Sequence, residues 1–260
     1  MQYAEISNAI KLAFVTIRKV SQNKPAILFL HEGMGCIKLF RDFPDLLCQS
    51  LKLPGVIYER YGYGHSTALR EERPDNYLNI EAEKYLPEFI EQCGLKDIPL
   101  ILVGHSDGAS IALIYASLFT KNVVAVVSIA AHVFVEEISI NNVKALEKKY
   151  FSDGEFRAKI HKYHYDHSES TLLAFTKTIA RESFKTWNIE HCLPKIEAPI
   201  FVIQGTEDNY GTQKQVESIL THNQNSLSLL ISECGHSPHL EKKQIVIDAI
   251  TDFLHQKKII

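Results

Sequence analysis

Short apolar runs that alternate with longer amphipathic segments constrain the fold of this chain more than any other feature. Seven such runs stand at residues 12–20, 25–30, 54–58, 100–103, 123–130, 199–204 and 227–231. Runs of this kind are typical of strands that helices cover on both faces. The segments between them repeat apolar residues at helical spacing, at 40–51, 79–93, 110–119 and 238–254. The pattern predicts an α/β fold with a mostly parallel sheet flanked by helices.

Residues 131–197 break this alternation. They carry helical patterns and many Lys, Glu, His and Tyr residues, but no good strand. Because such a segment cannot extend the sheet, it must sit above one end of it. We therefore predict a core domain formed by residues 1–130 and 198–260, with a helical cap formed by residues 131–197.

Composition narrows the range of partners. A chain of 260 residues with 45% hydrophobic residues is long enough to bury a large core. A net charge of −3 without a clustered basic surface argues against a nucleic-acid partner. The apolar runs are too short to span a bilayer and no signal peptide is evident, so we expect no membrane partner. Five dispersed cysteines predict free thiols and a cytoplasmic location.

The most specific motif is the G-x-S-x-G pattern at residues 104–108, which places Ser106 between an apolar strand and an apolar helix. A serine on so tight a turn takes strained backbone angles, and the flanking glycines avoid clashes. The turn projects the hydroxyl above the sheet edge and aims helix N–H groups at the same point. We therefore predict that Ser106 is a nucleophile, so that this turn has a catalytic role as well as a structural one.

A serine hydroxyl is a poor nucleophile until a base removes its proton. In the chain order Ser, then Asp or Glu, then His, the acid and the base follow later strands. Asp208 comes directly after the run 199–204, and His236 comes after the run 227–231. Three residues, each at the end of its own strand and in this order, predict a catalytic triad of Ser106, Asp208 and His236.

Each partner of the serine has one neighbouring alternative. Glu207 precedes Asp208 in the same loop and offers a second carboxylate. His239 lies close to His236, but its position directly after Pro238 predicts that it belongs to the final helix. Asp208 and His236 are the preferred assignments.

Five segments together resemble the α/β-hydrolase superfamily over nearly the whole chain. They are residues 31–35, 60–66, 104–108, 204–208 and 234–236, which read HEGMG, RYGYGHS, GHSDG, QGTED and CGH. The resemblance implies an eight-stranded sheet with the helical cap after the sixth strand. It also implies an oxyanion hole made by two backbone N–H groups, those of Gly33 and Asp107, with Met34 as the alternative to Gly33.

Glu32 departs from the pattern that this resemblance implies, because the usual residue at its position is glycine. A carboxylate pointing into an oxyanion hole would repel the developing negative charge. We expect the side chain to point away and to make structural hydrogen bonds. The alternative is that Glu32 orients a loop or contacts a polar substrate. The Asp107 carboxylate needs no catalytic role, because an acid is favoured at a helix N-terminus.

These residues predict acyl transfer to water through an acyl-enzyme on Ser106, without a metal or organic cofactor. A small carboxylic ester or related acyl compound is the expected substrate. A carbon–carbon bond hydrolase of diketone-like acids, or a lyase, that uses the same triad is the first alternative. A binding protein that keeps the pocket is the second. Serine at this position argues against the members of the superfamily that use an aspartate nucleophile.

The sequence offers further candidates for contacts with a substrate or a metal ion, each supported by fewer observations. Met34 and His132 follow predicted strands near the expected opening of the site and are candidate substrate contacts. His161, His164 and His167 recur at three-residue steps in the predicted cap and could share one helical face. No convergent Glu or Cys accompanies them, so we expect a solvated or pocket-lining helix and not a metal site.

Overall fold

A computed structural model describes residues 1–21 and 24–260, in which eight strands form one sheet. The strands are β1 (Gln2–Ile6), β2 (Ile10–Ile17), β3 (Ala26–Leu30), β4 (Gly55–Tyr58), β5 (Leu100–His105), β6 (Val123–Ile129), β7 (Ile200–Gly205) and β8 (Ser226–Ile231). Their order across the sheet is β1-β2-β4-β3-β5-β6-β7-β8. Only β2 runs against its neighbours, and all pairs from β4 to β8 are parallel. The predicted α/β class and mostly parallel eight-stranded sheet are confirmed.

The two faces of the sheet pack against separate apolar clusters, which explains why the central strands are apolar throughout. In β3, Leu28 and Leu30 belong to the cluster on one face, whereas Ile27 and Phe29 belong to the cluster on the other. All five residues of this strand are buried. Because side chains alternate between the faces of a strand, a sheet covered on both sides requires apolar residues at every position.

Helices outside the segment 131–197 cover both faces. They are α1 (Phe43–Leu51), α2 (Tyr77–Ile80), α3 (Leu86–Gln92), α4 (Asp107–Leu118), α8 (Lys214–His222), α9 (Pro238–Glu241) and α10 (Lys243–Gln256). Helix α4 follows β5 directly, and all but its last residue are buried. It therefore lies beneath the turn that carries Ser106, with its N-terminus at the carboxyl end of the parallel strands.

The segment 131–197 contributes no strand to the sheet and folds instead into α5 (Glu137–Ser152), α6 (Gly154–His164), α7 (Ser168–Ile179) and short helical turns. One isolated bridge pairs Phe134 with Asn188 near its two ends. In the described part of the chain, no helix has the combination of length and apolar character needed to cross a membrane.

Three features of the secondary structure were not predicted. β1 lacks a continuous apolar run, because it is an edge strand with three exposed residues. The predicted helix at 79–93 contains one π-helical turn, at Glu81–Tyr85, between α2 and α3. The final helix is interrupted at Lys242, which adopts a non-helical backbone between α9 and α10. As expected, His239 lies on a helix.

Candidate active site

The backbone of Ser106 takes the strained conformation that the motif predicts. Its φ is 52° and its ψ is −120°, a left-handed φ that residues with a side chain seldom adopt. On one side, the N–H of Ser106 donates to the carbonyl of Ile129, the last residue of the neighbouring strand β6. On the other, the Ser106 carbonyl accepts from the N–H of Ala109 in helix α4.

The flanking glycines are required by the close approach of backbone atoms. A Cβ at Gly104 would lie 2.3 Å from the Gly108 carbonyl oxygen, and one at Gly108 would lie 2.1 Å from the Leu30 oxygen. Backbone atoms cannot move aside as flexible side chains do. The two glycines therefore allow β5 and α4 to meet at an angle that leaves Ser106 at the apex.

His236 and Asp208 are joined by a hydrogen bond of 2.8 Å from Nδ1 to Oδ1. The same carboxylate oxygen accepts the backbone N–H groups of Tyr210 and Gly211, at 2.8 and 3.3 Å. Burial raises the pKa of Asp208, but the hydrogen bond and charge of His236 outweigh this and hold the pKa below its usual value. An ionised Asp208 requires the proton on Nδ1 of His236, which leaves Nε2 free to act as a base.

Ser106 and His236 line one cavity of about 190 Å³, which Asp107, Gly33, Met34 and His132 also line. Of the residues assigned to the site from the sequence, only Asp208 does not line this cavity, which it reaches through His236. The alternatives Glu207 and His239 and the histidines at 161, 164 and 167 lie outside its wall. No hydrogen bond joins the Ser106 hydroxyl to His236 in the described chain. In enzymes without bound substrate such contacts are often loose, and they tighten in the complex.

The rest of the cavity wall is largely apolar, and much of it comes from the segment 131–197. Its apolar side chains there include Val143, Leu146, Phe175, Ile179, Phe184 and Trp187. No lysine or arginine is among the described residues that line it. The cavity is therefore suited to an uncharged, apolar group next to the serine.

Two backbone N–H groups at the cavity are free to bind an oxyanion. Gly33 follows β3 and Asp107 is the first residue of α4, and neither N–H donates to another group in the described chain. Burial of polar N–H groups without partners is unfavourable, so free amides beside a nucleophile indicate a site for a negatively charged atom. The space at Gly33 is also restricted, because a Cβ there would lie 2.2 Å from the Phe175 ring.

As expected, the Glu32 side chain makes a structural contact, in this case with His105. Glu32 lies in the cavity wall, with its carboxylate oxygen Oε2 3.5 Å from Nδ1 of His105. Burial raises the pKa of Glu32, but the contact with His105 outweighs it and holds the pKa well below its usual range. The other ring nitrogen of His105 donates to the His236 carbonyl at 2.8 Å. Glu32 is thereby linked to the backbone of His236.

His132 follows β6 and its ring lies 6.1 Å from that of His236. Burial and the charge of His236 lower the pKa of His132 to about 4. The neutral ring is therefore the form present in the folded protein near neutral pH. In this form His132 offers a substrate one donor and one acceptor.

The low pKa of His132 predicts a loss of stability in acid. The unfolded chain takes up a proton near the ordinary histidine pKa of 6.5, whereas the folded chain does so only near 4. Stability is thus lost as the pH falls from about 6.5 towards 4. The free energy of unfolding can be measured by urea denaturation at about pH 7 and pH 5. Between these values it should fall by roughly 1–2 kcal/mol more in the wild type than in His132→Gln, which lacks the titrating ring. The exposed control His255→Gln should follow the wild type, and equal losses in all three would contradict this assignment.

The three histidines of the segment 131–197 do not share one face. His161 is exposed, whereas the buried His164 accepts the Gly64 N–H and donates to the Met34 carbonyl. No group of three or more side chains suited to a metal is present among the described residues. His164 therefore connects this segment to the loop that carries Gly33.

Sequence reasoning missed two contributors to the site. Tyr210 lines the cavity, and its ring lies 4.7 Å from that of His236. Arg60 is fully buried and contacts both Glu32 and Asp107. Arg60 is the first residue of the segment RYGYGHS noted above. Nothing in the sequence around this loop arginine indicates that it is buried.

A protein-family model described as the alpha/beta hydrolase family matches residues 27–249. No curated protein sequence matches the chain. Among solved structures, a thermophilic esterase from Thermogutta terrifontis superposes with a TM-score of 0.76 at 16% identity, covering 98% of each chain.

Two further structures illustrate the range of activities that share this fold. The enol-lactonase from Burkholderia xenovorans LB400 has a TM-score of 0.74 at 15% identity, with 98% of this chain and 100% of the other covered. Proline iminopeptidase from Mycobacterium smegmatis has a TM-score of 0.69 at 16% identity, with 98% of each covered. At such low identity these likenesses establish the fold alone.

Proposed function

Because this chain belongs to the alpha/beta hydrolase family, we propose that it is a serine hydrolase that cleaves esters of uncharged, apolar carboxylic acids. One observation carries the proposal. A strained serine and a histidine hydrogen-bonded to a buried carboxylate border the same apolar cavity. Beside them lie two backbone N–H groups that have no partner among the described residues.

In the proposed mechanism, Nε2 of His236 takes the proton from the Ser106 hydroxyl while the oxygen attacks the ester carbonyl. The negative oxygen of the tetrahedral intermediate binds the N–H groups of Gly33 and Asp107. The intermediate then expels the alcohol, which receives its proton from His236. Water, deprotonated by His236, releases the acid from the acyl-enzyme and restores the Ser106 hydroxyl. Asp208 keeps the imidazole oriented and stabilises its protonated form.

The apolar wall supports the choice of an uncharged acyl group. A carboxylate buried in this cavity would lose its hydration without gaining a cation, since none of the described residues that line it is a lysine or an arginine. The same point disfavours the cleavage of diketone-like acids, the first alternative. We further propose that residues 131–197 act as a cap over the core of residues 1–130 and 198–260, because they supply much of this wall.

Two matched esters test the acyl preference. p-Nitrophenyl butyrate and the p-nitrophenyl monoester of succinic acid have acyl chains of equal length, but only the second carries a charge. We expect kcat/KM to be roughly 100-fold higher for the butyrate, because the buried carboxylate would have no partner. Equal or higher kcat/KM for the succinate ester would contradict an uncharged acyl pocket. No turnover of any ester, without labelling by a fluorophosphonate, would favour a binding protein.

A further inference from the structure

The buried side chain of Arg60 contacts both segments that carry the proposed oxyanion donors. Arg60 follows β4, and only 1% of the residue is exposed. Its Nη2 donates to the carbonyl of Glu32 at 2.7 Å. Nη1 and Nη2 each lie 3.4 Å from Oδ2 of Asp107. One guanidinium group therefore bridges the loop after β3 and the first residue of α4.

The contact with Glu32 fixes the orientation of the Gly33 N–H. The carbonyl of Glu32 and the N–H of Gly33 belong to the same peptide group, which is planar and points the two in opposite directions. A donor that holds the carbonyl on one side thus aims the N–H to the other side. Gly33 is a residue of the cavity wall.

The same carbonyl accepts three hydrogen bonds, which polarise the peptide group. Besides Arg60, the donors are Nδ1 of His31 at 2.8 Å and the N–H of Gly35 at 3.0 Å. The backbone N–H of Arg60 donates to Nε2 of His31, so the proton of this ring must be on Nδ1. Burial, together with the charge of Arg60, keeps the pKa of His31 well below its usual value. A polarised peptide makes its N–H a stronger donor.

On the other side, Arg60 anchors the Asp107 side chain. The Tyr77 hydroxyl donates to the same carboxylate oxygen, Oδ2, at 2.9 Å. The backbone N–H of Asp107 is the second proposed oxyanion donor. By holding the Asp107 side chain in place, these contacts also restrain that N–H.

Stability alone explains this arrangement poorly. A buried ion pair often contributes little net stability, because both charges lose their hydration. Here the Nε of Arg60 is also buried without a hydrogen-bond partner in the described chain, which is a further cost.

We propose that Arg60 is a positioning residue that orients the two oxyanion donors, Gly33 and Asp107, and polarises the first of them. This inference rests on the proposed serine-hydrolase function. Arg60 acts through the Glu32–Gly33 peptide on one side and through the Asp107 carboxylate on the other. It need not touch the substrate.

Three variants and a control test this role. The double variant Arg60→Met/Asp107→Asn removes both buried charges together, which avoids leaving one of them unpaired. Asp107→Asn alone keeps the bond from Arg60 to Glu32, and Arg60→Lys keeps the charge with fewer donors. The exposed Arg157→Met carries the same arginine-to-methionine change on helix α6. Circular dichroism and thermal melting report folding.

We expect kcat for p-nitrophenyl butyrate to fall roughly 10–100-fold in the double variant, somewhat less than when an oxyanion donor is lost outright. KM should stay within about threefold, because donors aimed at the oxyanion act mainly in the transition state. Affinity for a trifluoromethyl ketone, whose adduct with Ser106 carries the oxyanion, should fall by about the same factor as kcat/KM. Asp107→Asn should lose less, and Arg157→Met should match the wild type.

A folded double variant with wild-type kcat and ketone affinity would overturn the role of Arg60. If the double variant does not fold, Arg60→Lys decides, with an expected loss of roughly 3–10-fold in kcat at unchanged KM. Wild-type kcat in Arg60→Lys would then overturn the proposal. These outcomes leave the serine mechanism intact, whereas ester turnover by Ser106→Ala would refute the mechanism itself.

Discussion

Replacement of Ser106 by alanine is expected to lower kcat for p-nitrophenyl butyrate by roughly 10⁴–10⁶-fold, because no other group can form the acyl-enzyme. The loss should fall on kcat, since the cavity that binds the acyl group is unchanged. The protein should remain folded, because the hydroxyl of Ser106 makes no hydrogen bond in the described chain. Turnover is measured with purified protein, and circular dichroism verifies the fold.

Ser50→Ala is the matched control, since Ser50 is exposed near the end of α1, away from the cavity. It should leave kcat unchanged. If Ser106→Ala kept more than about one hundredth of the wild-type rate, the proposed acyl-enzyme would be wrong. A loss of the same size in Ser50→Ala would show that the assay does not report on the site.

Asp208→Asn should give the second largest loss, roughly 10³–10⁴-fold in kcat. The asparagine oxygen can still accept the three N–H groups that reach Oδ1 of Asp208. The fold of the loop should therefore survive. The negative charge that stabilises protonated His236 in the transition state would be lost, and the neutral amide oxygen would be a weaker acceptor for the Nδ1–H that orients the ring.

Glu207→Gln provides the decisive comparison, because Glu207 is the neighbouring carboxylate that the sequence left as the alternative acid. The structure places Glu207 at the surface, while the Asp208 carboxylate is 1% exposed and bonded to His236. Glu207→Gln should keep kcat within about twofold. A larger loss in Glu207→Gln than in Asp208→Asn would reverse the assignment of the acid.

The parts of the fold that local pattern determines were predictable. Strands such as β3 and β5 are apolar at every position because helices cover both sides. The turn at Ser106 was also predictable, since the glycines at 104 and 108 are required by contacts between neighbouring backbone segments. The partners of the serine followed from the rule that parallel strands present their carboxyl ends at one edge.

Features that depend on packing between distant segments were not predictable. Arg60 looks like an ordinary loop arginine, and its burial depends on Asp107, which lies 47 residues further along the chain. The position of Glu32 depends on His105, a residue on another strand. The edge strand β1 is mostly exposed, so it lacks the apolar signal of the central strands. No local pattern encodes such contacts.

Activation of Ser106 for covalent attack by its surroundings is the basis of the proposed function. It is tested most directly by exposing the wild-type protein to a fluorophosphonate and mapping the modified residue by mass spectrometry. We predict one phosphonyl group per chain, attached to Ser106, with ester turnover lost in proportion to labelling. An unmodified Ser106 in protein that still hydrolyses esters, or a label on another residue that accounts for the lost activity, would contradict this account.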